Sequence, residues 1–222
     1  MNLQRLPSGC PGLDLLLGGG FEAGIITQLY GQSATGKTNI ILQLAVQAVA
    51  RGWRVIFIDT EGFSPERFCQ IAGEGAREIA SRIMVFEPLN LEQQSSAIRD
   101  AARISGEGVG LIVMDSATSL YRAVLEGDDT RAAKRTLATQ MAELQEIARR
   151  NRIPVVITNQ VYMDVEAGQL RPIGGTALEH ICKAIICLEK TASGQREARI
   201  VKHRSRPEGE KAEFTISAAG VI

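Results

Sequence analysis

The sequence predicts an α/β fold, with a mostly parallel central sheet that gives way to antiparallel strands near the C-terminus. Three observations predict it. Apolar runs of strand length alternate with longer amphipathic stretches, which is the order of a parallel sheet with crossover helices. Some of those runs are apolar without alternation, as in strands buried on both faces. Beyond residue 183 the amphipathic stretches cease and short strand-like runs follow one another.

The elements follow in order. Residues 25–30 are a short, β-branched run ending in a glycine loop. Residues 37–50 carry Ile40, Ile41, Leu44, Ala45 and Ala48 at helical spacing. Residues 54–59 read as a second buried strand. Ser64 then caps a helix with Pro65 in its first turn, where proline loses no hydrogen bond. Residues 82–86 are a third strand and 91–104 a third crossover helix. The run Gly110-Leu111-Ile112-Val113-Met114-Asp115 is the most hydrophobic strand. Residues 130–151 form a long helix with an apolar face at Leu137, Met141, Leu144 and Ile147, and 154–158 are another central strand, with Pro154 at its start. Residues 184–189, 197–201 and 212–217 read as antiparallel strands. No internal repeat or low-complexity segment is present.

A chain of 222 residues, 45% of them apolar, fits one domain over residues 1–222 with a core large enough to exclude disorder. The 25 basic side chains balance the 25 acidic ones. The chain is therefore no polycation, and contact with nucleic acid has to come from local patches. Cys10, Cys69, Cys182 and Cys187 lack the C-x-x-C spacing of a zinc site and read as free thiols in a reducing compartment. No signal core opens the chain and no apolar run approaches the ~20 residues of a membrane span. A cytoplasmic location is expected.

The loop Gly31-Gln32-Ser33-Ala34-Thr35-Gly36-Lys37-Thr38 matches G-x-x-x-x-G-K-[ST]. By chance this pattern arises in about one chain in a hundred of this length. The strand before it and the amphipathic helix after it are what its chemistry requires. Backbone N–H groups and a helix N-terminus cradle phosphates, Lys37 reaches the β/γ oxygens, and Thr38 ligates Mg²⁺. ATP and Mg²⁺ are the expected ligands. Asp115 ends a strand at the sheet edge where such folds bind ligands, the place for a second Mg²⁺-holding oxygen. Glu61, just past the neighbouring strand, can polarise the water that attacks a γ-phosphate, with Asp59 as its competitor. Asn159 and Gln160 end another strand, where neutral amides can bond a terminal phosphate and report it to the next loop.

The segment Leu17-Gly18-Gly19-Gly20-Phe21-Glu22-Ala23-Gly24-Ile25-Ile26-Thr27 followed by the P-loop resembles the start of the ATPase core of RecA-type recombinases. Archaeal RadA, its paralogue RadB and the eukaryotic strand-exchange recombinases are the nearest in kind. Further matches are Ile58-Asp59-Thr60-Glu61-Gly62, Pro65-Glu66-Arg67, Leu111-Ile112-Val113-Met114-Asp115-Ser116, Ile157-Thr158-Asn159-Gln160-Val161 and Pro172-Ile173-Gly174-Gly175. The resemblance covers nearly the whole chain in the right order and implies a RecA-like P-loop NTPase core. It also implies that Glu61 activates water, that Arg67 stacks on adenine, and that Gln160 senses the γ-phosphate. His180 matches a histidine that reaches an adjacent subunit's nucleotide, residues 122–129, beginning at Arg122, match a first DNA-binding loop, and residues 161–173 match a second.

The departures point to the RadB group. No helix-hairpin-helix domain or Phe-x-x-Ala docking motif is recognisable before Leu6, so filament formation and strand exchange are not expected of the chain alone. The stretch 161–166 is acidic with one aromatic, where an efficient DNA loop carries positive charge. The resemblance implies weak ATP hydrolysis and a helper role in recombination and repair. It also implies DNA, a RadA-like recombinase, a Holliday-junction resolvase or other repair protein, and further copies of the chain as partners. Lys202, His203, Arg204 and Arg206 form the one dense basic cluster, open to three readings: a solvated turn, a DNA-backbone contact, or a cation reaching a neighbour's γ-phosphate. Arg152 and Arg171 read first as ordinary surface charges, with Arg171 kept among the DNA candidates. A KaiC-like signalling ATPase that acts on proteins and ignores DNA is the alternative.

Overall fold

The computed structural model describes residues 4–106, 108–125, 130–164 and 169–222. The chain starts with β1 (Arg5–Leu6), α1 (Pro11–Leu16) and β2 (Phe21–Glu22), β1 and β2 pairing antiparallel. There follow β3 (Ile26–Gly31), α2 (Lys37–Ala50), β4 (Arg54–Asp59), α3 (Pro65–Ala72), a 3₁₀ turn (Gly73–Gly75), α4 (Ala76–Ala80), β5 (Ile83–Phe86) and α5 (Leu91–Ile104). Next come β6 (Val109–Asp115), α6 (Ser119–Leu125), α7 (Thr130–Asn151), β7 (Val155–Asn159), the hairpin β8 (Val161–Asp164) and β9 (Gln169–Pro172), and α8 (Gly175–Ile181). The chain finishes with β10 (Ala184–Lys190), β11 (Arg196–His203), β12 (Lys211–Phe214), β13 (Ile216–Ser217) and β14 (Gly220–Val221).

The eight-stranded sheet runs β12-β11-β10-β3-β7-β6-β4-β5, parallel from β10 to β5. Alternating side chains of each central strand feed opposite layers. Leu29, Val55, Phe57, Leu111 and Val113 pack beneath α1, α2 and α3, with Leu13, Ile41, Leu44 and Phe68. Ile26, Ile56, Ile58, Ile112 and Met114 pack beneath α5, α7 and α8, with Ile98, Leu137, Met141 and Leu178. Local capping agrees with this packing. Ser64 Oγ accepts from Arg67 N at 3.2 Å at the start of α3, and Asn90 Oδ1 accepts from Gln93 N at 2.9 Å at the start of α5.

Four expectations change. The strand expected over 184–189 is parallel to β3 on one side and antiparallel to β11 on the other, so β10 is where the sheet reverses polarity. The strand expected over 212–217 breaks in two. Thr215 exchanges backbone hydrogen bonds with Ile222, which folds β13 and β14 into a separate hairpin, held by Gln43 through its bonds to Val221 N and O. The first expected DNA loop opens as helix α6, which carries Arg122, and its remainder, 126–129, lies outside the described residues. The second is a hairpin with Val161 opposite Pro172 and Asp164 opposite Gln169, residues 165–168 again lying outside the described set.

Candidate functional site

The sheet register gathers the loop ends. Asp59 and Asp115 are direct partners in β4 and β6, and Tyr30 pairs with Asn159 in β3 and β7. The C-terminal ends of four parallel strands therefore face one cleft, the edge at which open α/β sheets bind ligands. A cavity of about 400 Å³ lies there, lined by Gly31, Gln32, Ser33, Ala34, Gly36, Lys37, Thr38, Asn39, Glu61, Asp115, Arg122, Thr158, Gln160 and Val161.

Gly36 turns the loop into α2 with φ +104°, a left-handed conformation that glycine adopts without strain. Thr35 is buried and points its hydroxyl inward, donating to Gln32 O at 2.9 Å, so it holds the loop's shape and does not line the cavity. Lys37 Nζ donates to Gly31 O at 2.8 Å and Gln32 O at 2.9 Å, arching across the loop. Burial pushes the ammonium's pKa down, and the carboxylates of Asp115 and Glu61 oppose that shift. A partly desolvated cation with anions nearby is suited to a phosphate oxygen.

Asp115 is 4% exposed. Its Oδ2 accepts from Thr38 Oγ1 at 2.8 Å, and its Oδ1 accepts from Thr158 Oγ1. Burial pushes its pKa up, while the bonds from Thr158 and Thr38 pull it down. A hydroxyl and a carboxylate oxygen meeting beside a phosphate-sized cavity fit Mg²⁺, which takes few protein oxygens and completes its shell with water and phosphate. Among the described residues no group of three or more His, Cys, Asp or Glu side chains is placed to hold a metal ion.

The two candidate carboxylates have different surroundings. Asp59 Oδ1 accepts from the backbone N–H of Glu61 at 3.2 Å and of Gly62 at 3.1 Å, so it shapes the turn and is 4% exposed. Glu61 projects into the cavity, where its Oε1 accepts from Ser116 Oγ at 3.0 Å and Gln160 Nε2 at 2.6 Å. Arg122 NH1 in turn donates to Gln160 Oε1 at 3.3 Å. Arg122, expected on a DNA loop, instead walls this cavity from the last turn of α6.

Other expected residues go elsewhere. Asn159 is fully buried: it receives the Thr118 hydroxyl and donates to Ile173 O at 2.7 Å, tying α6 to the end of the hairpin, so Gln160 alone of the amide pair meets the cavity. Arg67 does not line the cavity. Its guanidinium bridges Asn39 Oδ1 at 2.5 Å, Gln70 Oε1 at 2.9 Å, Ala218 O at 2.9 Å and Ser217 O at 2.8 Å, which ties α3 to α2 and to the β13–β14 hairpin. His180 is exposed on α8, beside a groove with Gln145, Arg149 and Lys183. Arg171 pairs with Asp164 at 2.9 Å across the hairpin.

The basic cluster largely serves its own chain. Arg204 pairs with Glu22, a buried carboxylate that Arg5 also approaches at 3.8 Å. Arg206 donates to Leu16 O at 3.2 Å and Leu15 O at 2.7 Å, capping the end of α1. Lys202 Nζ donates to Glu179 O at 2.5 Å, and His203 Nδ1 accepts from Ser205 N at 3.1 Å. Arg204 and Arg206 thus have partners within their own chain, a buried carboxylate and the carbonyls that end α1. Ser116 and Thr158 were missed as site residues. Both stand in the motifs quoted above, yet a hydroxyl's partner becomes visible only when the strands are assembled.

No helix among the described residues is long and apolar enough to cross a membrane. A family model described as Rad51 matches residues 1–222. The DNA repair and recombination protein RadB of Methanococcoides burtonii is 55% identical over 219 residues, covering 98% of this chain and 97% of that protein. The protein of the same description from Methanoculleus marisnigri is 50% identical over 224 residues, covering 100% and 99%. A solved structure, the crystal structure of the RadB recombinase, superposes with a TM-score of 0.85 at 37% identity, covering 98% of both chains. With the family model matched over its whole length and these relatives matched end to end, the chain belongs to the Rad51 family and, within it, to the RadB proteins.

Proposed function

We propose that this chain is an ATP- and DNA-binding accessory protein of homologous recombination and DNA repair, located in the cytoplasm. Its ATPase is weak and it drives no strand exchange alone. The observation that carries the reading is the convergence of Lys37, the Thr38–Asp115 pair and the Glu61–Gln160 pair on one cavity. Thr38 and Asp115 would hold Mg²⁺, whose charge supports phosphate binding. Lys37 and the loop N–H groups orient the phosphates, Arg67 stacks on the base as the family resemblance implies, and Glu61 accepts the proton of the attacking water. Gln160 opens directly into β8, so its bond to the nucleotide side is mechanically linked to the hairpin. ATP would thereby alter contact with DNA, a RadA-like recombinase, or another repair protein such as a junction resolvase. Family membership favours this reading over a signalling ATPase that ignores DNA.

Fluorescent-nucleotide binding tests the site: Lys37→Ala is expected to lose ATP, and normal binding by that variant would remove the assignment. Single-strand DNA binding across a salt series tests the partner. A steep loss of affinity with salt is expected from phosphate contacts, and the absence of any DNA binding at low salt would return the reading to a protein-directed ATPase.

A further inference from the structure

Two cations line the phosphate cavity: Lys37, at its loop end, and Arg122, at the end where Glu61 and Gln160 meet. The Arg122 side chain is exposed, and NH1 makes a single long bond, 3.3 Å, to Gln160 Oε1. None of its other guanidinium donors has a partner among the described residues. Its backbone, by contrast, is fixed from the site itself. Arg122 N bonds Thr118 O at 2.9 Å, Ser119 N bonds Ser116 Oγ at 3.1 Å, and Ser116 Oγ donates to Glu61. Thr118 is fully buried and bonded to Asn159. A guanidinium fork with free donors, on a helix anchored to the water-activating carboxylate, is placed to meet charge that builds on a terminal phosphate.

Arg196, the other arginine near the loop, stays outside the cavity. It donates to Ala34 O at 3.0 Å and otherwise to the carbonyls of its own turn at Gly194 and Gln195. The residues of the basic cluster 202–206 are held by Glu179, Glu22 and α1.

We propose that Arg122 acts in cis as the arginine that contacts the γ-phosphoryl group, so that each chain carries its own transition-state cation and requires none from a neighbouring subunit. The inference rests on the ATP-hydrolysing reading above. In that step the water oxygen bonds to the γ-phosphorus while the bond from that phosphorus to the β–γ bridging oxygen breaks. The electron pair of the broken bond stays on ADP, a water proton passes to Glu61 and then to solvent, and phosphate leaves. Arg122 donates to the equatorial oxygens, where charge accumulates, and its bond to Gln160 is exchanged for those contacts.

The test uses the full chain with Mg²⁺, ADP and aluminium fluoride, a mimic of the transferring phosphoryl group, beside single-turnover ATP hydrolysis. Arg122→Ala is expected to bind ADP within about twofold of the unsubstituted protein. It should lose fluoride-dependent trapping of ADP and about 100-fold or more in hydrolysis rate. Arg122→Lys keeps the charge without the fork and should fall between, with Arg122→Gln as the substitute if either fails to fold. Mixing Arg122→Ala with Lys37→Ala separates cis from trans action. Activity no greater than the two proteins separately supports the cis assignment, whereas restored hydrolysis in the mixture overturns it. Unchanged trapping and rate in Arg122→Ala, with weakened DNA binding, would assign the residue to the nucleic-acid surface instead. If the unsubstituted protein fails to bind ADP, the nucleotide reading itself falls, an outcome distinct from all of these.

Discussion

Gln160 Nε2 donates to Glu61 Oε1 at 2.6 Å, joining residues 99 positions apart at the mouth of the phosphate cavity. The amide opens hairpin β8–β9 and the carboxylate lies just past the end of β4, so this bond connects the proposed hydrolytic group to the segment matched to DNA contact. Glu61 also accepts from Ser116, so its carboxylate is oriented from two sides before any ligand arrives.

Glu61→Gln is expected to bind ATP within about twofold of the parent protein and to lose 100-fold or more of its hydrolysis rate, since general-base assistance contributes about 10²–10⁴. Radiolabelled ATP followed over many hours checks it, and a variant that hydrolyses at the parental rate would move the base elsewhere.

Arg204→Ala leaves Glu22 buried with Arg5 as its remaining counter-charge. Because Arg204 is itself partly exposed, a modest loss of about 1–2 kcal/mol is expected in urea unfolding. DNA affinity and its salt slope should stay the same. A slope reduced by about one, with stability unchanged, would restore the phosphate-contact reading of this arginine.

His203 carries a pH prediction. Burial lowers its pKa below the ordinary histidine range, with the charges of Arg5 and Arg206 adding to the shift and Glu210 opposing it. Its Nδ1 accepts from Ser205 N, a bond that the imidazolium cannot make. Near and below pH 6.5 the unfolded chain binds a proton that the folded chain resists. The stability His203 contributes is therefore present above that pH and is lost as pH falls toward the depressed folded value. His203→Gln should flatten this part of the stability profile between about pH 7.5 and 5, as measured by thermal melts at fixed ionic strength. Parallel profiles for the two proteins would refute the assignment.

Gly110→Ala tests the packing of the central strand. A Cβ on Gly110 would lie well inside contact distance of the Trp53 indole, a large and half-buried ring. An overpacking loss of about 1–3 kcal/mol is expected, seen as a lower denaturant midpoint with an unchanged slope.

Much of the molecule was legible in its residues. The helices over 37–50, 91–104 and 130–151 lie where their apolar spacing placed them, because a 3.6-residue stripe is a local signal. The phosphate loop was equally plain, since glycine, lysine and threonine at fixed offsets carry their own chemistry. Gln160, Arg122 and Arg204 show where local reading stopped. Each is a polar side chain on a loop or helix end, whose spacing says that it is surface but not what it touches.

The sequence by itself determined the α/β layering, the phosphate loop and the strand-end carboxylates, because periodicity and motif spacing act over a few residues. Only the tertiary structure decided that Glu61 rather than Asp59 faces the cavity, that Asn159 belongs to the core, and that Arg122 meets Gln160 while Arg204 meets Glu22. The physical reason is that hydrogen bonds and ion pairs select partners by distance in space. The order of strands in the sheet sets those distances, and no local pattern encodes them.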